Sequence, residues 1–188
     1  MNTLDISYTM HVALKAHAAQ FRRWPQEPYA FHLARVAGVT LAHGVRSLVD
    51  DGWKHAAQVA WLHDIVEDCP EWTIERVRAA FDDVVAAGVQ LLTKTPGVSL
   101  EDYLARLADG PAWVRQIKLI DRADNLAGPF PLWDPKGFAF VEKYIPETHS
   151  LLEALEGTDP VLEQIVHDKL EIVSTLFGHA HDARYPDD

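Results

Sequence analysis

The sequence contains a single cysteine, Cys69, which excludes a fold held together by intrachain disulfides. No uninterrupted apolar run approaches membrane-spanning length, so we expect no transmembrane helix. The first twenty residues lack a basic start followed by an apolar run, so we expect no signal peptide and take the cytoplasm as the default location. Convincing period-two strand patterns, internal repeats and low-complexity segments are also missing.

Positive charge is scarce. The chain has 17 Lys and Arg against 28 Asp and Glu, which gives a net charge of −11 at pH 7. No basic stripe with interleaved aromatic residues is present, so a nucleic-acid partner is not expected. A small anionic ligand stays compatible with this composition because it needs only a few local cations.

Helical periodicity is present nearly throughout. Apolar residues recur at spacings of three and four, and Ala and Leu are abundant. We predict an all-α protein of one domain, with the motif-bearing part at about residues 10–127 and helices at about 138–178 completing it. The predicted helices cover about residues 7–21, 28–43, 51–68, 73–92, 100–108, 111–126, 138–156 and 160–177.

Several helix ends carry sequence signals. Ser99 begins a segment that resembles a capping box, and Pro160 stands where a first-turn proline is tolerated. Gly44 and Gly178 occupy positions suited to a left-handed residue after a helix. The tail at 179–188 is expected to be frayed.

The segment AAQVAWLHDIVEDCP, residues 56–70, ends an apolar pattern with His63, Asp64, Glu67 and Asp68. On a continuous helix Glu67 would lie one turn past His63, and Asp68 one turn past Asp64. That arrangement suits metal ligands accompanied by acid/base groups. Taken alone, the segment is equally compatible with an acidic helix end that is simply solvated.

Two further segments favour a functional cluster. His32 lies inside an otherwise apolar, alanine-rich helix, and Asp121 follows an apolar series with Asn125 one turn further on. A carboxylate on the apolar side of a helix is costly to bury unless it is paired or bound to a metal. A lone histidine such as His32 is usually a packing residue, but with Asp121 and the His63-Asp64 pair it completes a set of two histidines and two carboxylates.

The order of these residues resembles the HD superfamily of metal-dependent phosphohydrolases. The segments AHAAQFRR…EPYAFH, AAQVAWLHDIVEDCP, LLTK and IKLIDRADNL are similar, in the same order, to the hydrolase domain of the Rel/SpoT-type alarmone enzymes. Those enzymes remove the 3′-pyrophosphate of guanosine tetra- or pentaphosphate. The resemblance covers about residues 10–127, so we expect no synthetase or regulatory domain, as in the small hydrolase-only members.

This resemblance implies a metal site and two catalytic acids. The metal, usually Mn²⁺ with Fe²⁺, Co²⁺ or Zn²⁺ as alternatives, would be held by His32, His63, Asp64 and Asp121. Glu67 and Asp68 match carboxylates that activate water and manage protons. The donor set agrees independently, because two imidazoles argue against a plain Mg²⁺ or Ca²⁺ site and two carboxylates against a closed structural zinc site.

Substrate contacts are also implied, with departures from the family. Either Arg22 or Arg23 matches an arginine that packs on the guanine base, and Asn125 matches a nucleotide-contacting asparagine. With the arginines, Lys118 and Arg122 are the nearest candidate cations in the sequence for an anionic substrate. The segment after Arg23 and the residues after Asn125 differ from the family, as does the carboxylate of Asp124, which replaces an uncharged or histidine side chain.

Three functions follow as hypotheses. The first is a Mn²⁺-dependent pyrophosphohydrolase of (p)ppGpp, and the second is an HD phosphohydrolase acting on another nucleotide or phosphate ester. The third is a non-catalytic nucleotide-binding module, although the full set of ligands and acids argues against lost activity. A homo-oligomer is compatible with all three.

Overall fold

A computed structural model describes residues 5–48 and 52–185. It confirms the all-α prediction, because the described residues form ten helices and no strand, with one isolated antiparallel bridge between Phe21 and Pro28. The helices are α1 Ile6–Ala16, α2 Tyr29–Ala42, α3 Gly52–Leu62, α4 Ile65–Asp68, α5 Ile74–Ala80, α6 Asp83–Leu92, α7 Leu100–Ala108, α8 Ala112–Leu126, α9 Pro135–Ala154 and α10 Pro160–Arg184.

Two helices predicted as continuous are each divided in two. The segment predicted at 51–68 breaks at His63 and Asp64, which lie in a turn between α3 and α4. The segment predicted at 73–92 breaks at Phe81, whose ψ of −104° is not helical, and Asp82 then caps α6 by accepting from the Val85 N–H. Residue 51 lies outside the described residues.

The predicted helix ends were right in part. Ser99 accepts from the backbone N–H of Asp102, and Gly44 adopts a φ of +78° after α2. Gly178 was wrongly placed at a helix end, and the predicted fraying was wrong for 179–185; residues 186–188 lie outside the described residues. Helix α10 continues to Arg184, because His181 and Tyr185 pack around the Phe138 ring, with the His181 and Tyr185 rings 5.1 Å apart.

Helix α3 lies at the centre of the fold. Every residue from 55 to 62 is buried, and α3 packs against α1, α2, α6 and α8. Gly88 on α6 permits one of these contacts, since a Cβ there would lie 2.7 Å from a Val59 methyl. The C-terminal end of α3 therefore delivers the next residues, His63 and Asp64, into the interior between α2 and α8. No helix among the described residues is both long and apolar enough to cross a membrane.

Candidate metal centre and active site

Four side chains from separate parts of the chain converge beside the end of α3. His32 comes from α2, His63 and Asp64 from the turn after α3, and Asp121 from α8. Three of these residues are buried and Asp64 is partly exposed. The Nε2 atoms of His32 and His63 are 3.2 Å apart.

The carboxylate oxygens complete a tight cluster of donor atoms. Asp64 Oδ2 lies 2.9 Å from His63 Nε2 and 3.5 Å from His32 Nε2. Asp121 Oδ1 lies 3.3 Å from His32 Nε2 and 3.6 Å from His63 Nε2. Neighbouring ligands of an ion bound at about 2.0–2.2 Å are about 3–3.6 Å apart. The donor atoms of His32, His63 and Asp121 all lie within 4.8 Å of one another, so these three residues fit a divalent cation, with Asp64 beside them.

The outer ring nitrogens fix both imidazoles for ligation. His63 Nδ1 lies 2.8 Å from the backbone oxygen of Ala60, and His32 Nδ1 lies 2.7 Å from Asp124 Oδ2. Both partners are acceptors, so each Nδ1 carries the proton and each Nε2 faces the centre of the cluster. Ligating histidines are oriented in this way in known metal sites.

The electrostatics of the cluster favour added positive charge. Burial by itself lowers the pKa of His32, but hydrogen bonds with Asp121, Asp124 and Asp64 outweigh it and raise the pKa to about 11. His63 responds in the same way, and its pKa rises to about 9. A cation would take the place that protons occupy between these carboxylates and imidazoles.

Asp121 is positioned by two further residues of α8. Lys118 Nζ donates to Asp121 Oδ2 at 2.8 Å, and Asn125 Nδ2 donates to Oδ1 at 2.7 Å. Burial would raise the pKa of Asp121, but the charge of Lys118 and the two histidines hold that pKa well below its ordinary value. Lys118 thus forms an ion pair with the predicted metal ligand Asp121.

Tyr29 belongs to the site and was not identified from the sequence. Its hydroxyl donates to Asp64 Oδ2 at 2.6 Å, and its ring stacks on His17 with centroids 5.0 Å apart. Burial and the charge of Asp64 raise the pKa of Tyr29, so the hydroxyl stays a donor. The available signal was its position one helical turn before His32.

Glu67 and Asp68 lie on α4 at the exposed rim of the cluster. Asp68 lies one helical turn after Asp64, as predicted, because its backbone N–H donates to the Asp64 carbonyl oxygen. Glu67 Oε1 accepts a hydrogen bond from the backbone N–H of Lys94. Partial burial and the charge of Asp64 raise the pKa of both carboxyl groups, which makes both stronger proton acceptors.

A cavity of about 260 Å³ adjoins the cluster through Tyr29 and Asn125. Arg22 and Arg23 line it, and the remaining lining residues are aromatic: Phe21, Trp24, Phe130, Phe140 and Tyr144. Arg22 donates to Asp124 Oδ2 at 3.0 Å and to Asn125 Oδ1 at 2.8 Å. The Arg23 guanidinium lies 4.3 Å from the centre of the Trp24 ring.

Arg122 has different surroundings from the other candidate cations. It is buried, its guanidinium lies 4.2 Å from the centre of the Tyr144 ring, and it donates to Thr148 Oγ1 at 2.9 Å. It is not among the residues that line the cavity. This geometry supports a packing role and gives no support to the predicted phosphate contact.

Asp124 connects the metal cluster to the cavity. Besides His32 and Arg22, it accepts from Arg35 Nε at 2.6 Å, and Arg35 also donates to Glu27 at 2.6 Å. Burial would raise the pKa of Asp124, but His32 and Arg35 lower it to about 2. In the sequence Asp124 stood out only as an unexpected carboxylate. The residues around it do not indicate that α2 and the loop containing Arg22 pack against it.

An all-helical fold with a buried pair of histidines and nearby carboxylates defines a candidate metal site, and a comparison with solved structures gives a specific neighbour. No protein-family model matches the chain, and no curated protein matches it. One similar solved structure is described as a metazoan ortholog of SpoT that hydrolyzes ppGpp and plays a role in starvation responses. The similarity has a TM-score of 0.73 with 22% sequence identity, over 88% of this chain and 93% of that one. The two chains therefore share a fold, the one that the sequence resemblance predicted.

Proposed function

We propose that this protein is a metal-dependent hydrolase that removes the 3′-pyrophosphate from (p)ppGpp to leave GDP or GTP. The observation that carries the proposal is the orientation of His32 and His63. Both turn Nε2 toward the two carboxylates, while hydrogen-bond acceptors lie against both Nδ1 atoms. The fold shared with a protein that hydrolyzes ppGpp supports the same reaction class.

The donor set is suited to a borderline divalent metal. His32, His63, Asp64 and Asp121 would hold Mn²⁺, or Fe²⁺, Co²⁺ or Zn²⁺ in its place, because mixed imidazole and carboxylate ligands suit these ions. Such a cation supplies Lewis acidity that neutralises phosphoryl charge and makes water a better nucleophile.

The chain supplies the proton acceptors and the positioning groups. Glu67 and Asp68 are proposed to take the proton from the attacking water, since both lie at the rim and their pKa values are raised toward neutrality. Tyr29 orients Asp64, and Lys118 with Asn125 orients Asp121. These contacts hold the ligands in place before substrate binds.

The aromatic cavity is proposed to receive the nucleoside. Its aromatic rings offer stacking surfaces for a purine, and Arg22 and Arg23 offer positive charge in a protein of net charge −11. Asn125 lies between this cavity and Asp121, so it is placed to contact the nucleotide near the reacting group. We expect the protein to act in the cytoplasm, where its proposed nucleotide substrate would be found.

The test is an incubation of the Mn²⁺-loaded protein with ppGpp. We expect release of GDP and pyrophosphate, and no release by the Asp121→Asn variant, which keeps the size of the side chain but weakens metal ligation. Absence of turnover with Mn²⁺, Fe²⁺, Co²⁺ and Zn²⁺ in turn would reject the proposal.

The residues after Arg23 and after Asn125 differ from those of the resembled family. This difference favours a second candidate, an HD-type phosphohydrolase of another nucleotide or phosphate ester. Arg22 is already engaged by Asp124 and Asn125, and Arg23 lies on Trp24. A base-stacking arginine would have to leave these partners. Cleavage of another nucleoside phosphate with ppGpp left intact would select this candidate.

A further inference from the structure

The end of α1 carries a buried histidine to which the proposed reaction assigns no role. His17 is only 1% exposed, and its ring stacks on Tyr29 with an angle of 9° between the planes. His17 Nδ1 lies 2.6 Å from Gln20 Oε1, and Nε2 lies 3.7 Å from Cys69 Sγ. Burial of a polar ring is costly unless its nitrogens have hydrogen-bond partners, and both nitrogens have one here. The ring is therefore fixed in position and in orientation.

Gln20 links this histidine to the proposed catalytic acid Asp68. Gln20 Nε2 donates to the backbone oxygen of Asp68 at 2.7 Å, across 48 positions of the sequence. That carbonyl ends α4, where a helix leaves its last carbonyls without partners of its own. Because α4 has only four residues, it is too short to be stable alone, and contacts from elsewhere in the fold decide where its end lies. Gln20 is itself held, since its N–H donates to the His17 carbonyl and its carbonyl accepts from the Tyr29 N–H.

These hydrogen bonds run in one direction. The Asp68 carbonyl can only accept, so Gln20 turns its NH₂ group there and leaves Oε1 facing His17. Because Oε1 also only accepts, the proton of His17 lies on Nδ1, which leaves Nε2 to accept from the Cys69 thiol. Burial raises the pKa of this thiol to about 11, so it keeps the proton that it donates. A single chain of donors therefore starts at the Cys69 thiol and ends on the peptide that joins Asp68 to Cys69.

We propose that His17 and Gln20 are positioning residues that hold the backbone of Asp68, and with it the carboxyl group that accepts the proton. This inference rests on the proposed function, in which Asp68 takes a proton from the attacking water. Among the described residues, neither His17 nor Gln20 is hydrogen-bonded to a proposed metal ligand. Loss of either residue should therefore displace Asp68 while the metal site stays intact.

The first test is steady-state kinetics of the Mn²⁺-loaded full chain with ppGpp, or with the other nucleotide if that is the one cleaved. Gln20→Met keeps the length of the side chain but removes both hydrogen bonds, so we expect kcat to fall about 10-fold with KM and the Kd for Mn²⁺ unchanged. His17→Phe keeps a ring on Tyr29, lacks both nitrogens and should act likewise. The double variant should be no worse than the more affected single variant, because both residues act through one chain. Gln90→Met, the same exchange at an exposed position of α6, is the matched control.

A second test needs neither metal nor substrate. Nitrogen NMR of the natural protein should show the proton of His17 on Nδ1. Hydrogen exchange of the Cys69 amide, at the end of α4, should be about 10-fold faster in Gln20→Met than in the natural protein or in Gln90→Met, because the end of this short helix has lost its anchor. Circular dichroism checks that every variant is folded.

The outcomes separate this inference from the proposed function. A natural protein that cleaves no nucleotide with any of the four metals rejects the proposed function. An active natural protein whose kcat is the same in Gln20→Met as in Gln90→Met overturns the positioning role alone. Unchanged exchange at Cys69 in Gln20→Met, a proton on His17 Nε2, or a loss of Mn²⁺ affinity equal to the loss of kcat would also overturn it.

Discussion

Asp124 accepts a hydrogen bond from His32 at 2.7 Å and from Arg22 at 3.0 Å through the same carboxylate oxygen. One side chain therefore fixes the proton on a proposed metal ligand and also holds a residue of the adjoining cavity. In other metal sites the acceptor behind a ligating histidine sets both its tautomer and its basicity. The proposed metal cluster and the adjoining cavity are thus linked through Asp124.

Replacing this carboxylate should weaken metal binding. Asp124→Asn removes the charge behind His32, and we expect the affinity for Mn²⁺ to fall about 10- to 100-fold, with turnover partly restored by excess metal. Metal titration by calorimetry measures the effect. Glu27→Gln is the matched control, since Glu27 shares Arg35 with Asp124 but does not contact His32. Equal losses in both variants would show that Arg35, and not the histidine, carries the effect.

The two rim acids should affect turnover without affecting metal binding. We expect Glu67→Gln and Asp68→Asn each to lower kcat about 10²- to 10⁴-fold, the usual range for loss of an acid/base group. Metal affinity should stay within error of the natural protein. Glu71→Gln, an exposed acid outside the cluster, is the control. Unchanged kcat in both rim variants would contradict their proposed proton transfer.

Metal should stabilise the fold, because it binds only the assembled cluster. At a free concentration about 100 times its Kd, Mn²⁺ should add about 2.7 kcal/mol to the free energy of unfolding. Thermal unfolding followed with Mn²⁺ and with EDTA measures this. The His63→Ala variant should lose the metal-dependent shift whatever its own stability, and Ca²⁺ should give little shift because it prefers oxygen ligands.

The two arginines of the cavity should differ in their kinetic effect. Arg23 contacts the Trp24 ring, so Arg23→Ala should raise KM for the nucleotide and leave kcat nearly unchanged. Arg22 also holds Asp124 and Asn125, so Arg22→Ala should raise KM and lower kcat together. Steady-state kinetics with ppGpp, or with the other nucleotide if that is the one cleaved, separates the two. The reverse pattern would assign the base contact to Arg22 alone.

Asp159 should contribute to stability away from the site. Its Oδ1 caps α10 at Val161 and Leu162, and its Oδ2 lies 2.8 Å from His43 Nε2 and accepts from Gln116. We expect Asp159→Ala to cost about 1–2 kcal/mol in urea denaturation. Asp134→Ala is the matched control, because Asp134 caps α9 by the same pattern without such bonds to other helices, and it should cost less.

The pH dependence of this contribution has a definite sign. Burial by itself raises the pKa of Asp159, but hydrogen bonds from His43, the Leu162 N–H and Gln116 outweigh it and lower the pKa below its ordinary value. The stabilisation is therefore complete above the ordinary pKa of about 3.9 and is lost as the pH falls through the lower folded-state value. The difference between the natural protein and Asp159→Ala should shrink at acidic pH.

The sequence by itself determined the helical class and the identity of the proposed ligands. Apolar spacing of three and four specifies helices that must bury one face, and ligand chemistry restricts a metal centre to a few residue types such as those of His32 and Asp121. Tertiary packing decided where the helix is broken at His63, which surface of α10 stays exposed, and that Asp124 and Tyr29 belong to the site. These features depend on contacts between residues up to about ninety positions apart, and a local pattern carries no information about which distant side chain will supply the hydrogen bond.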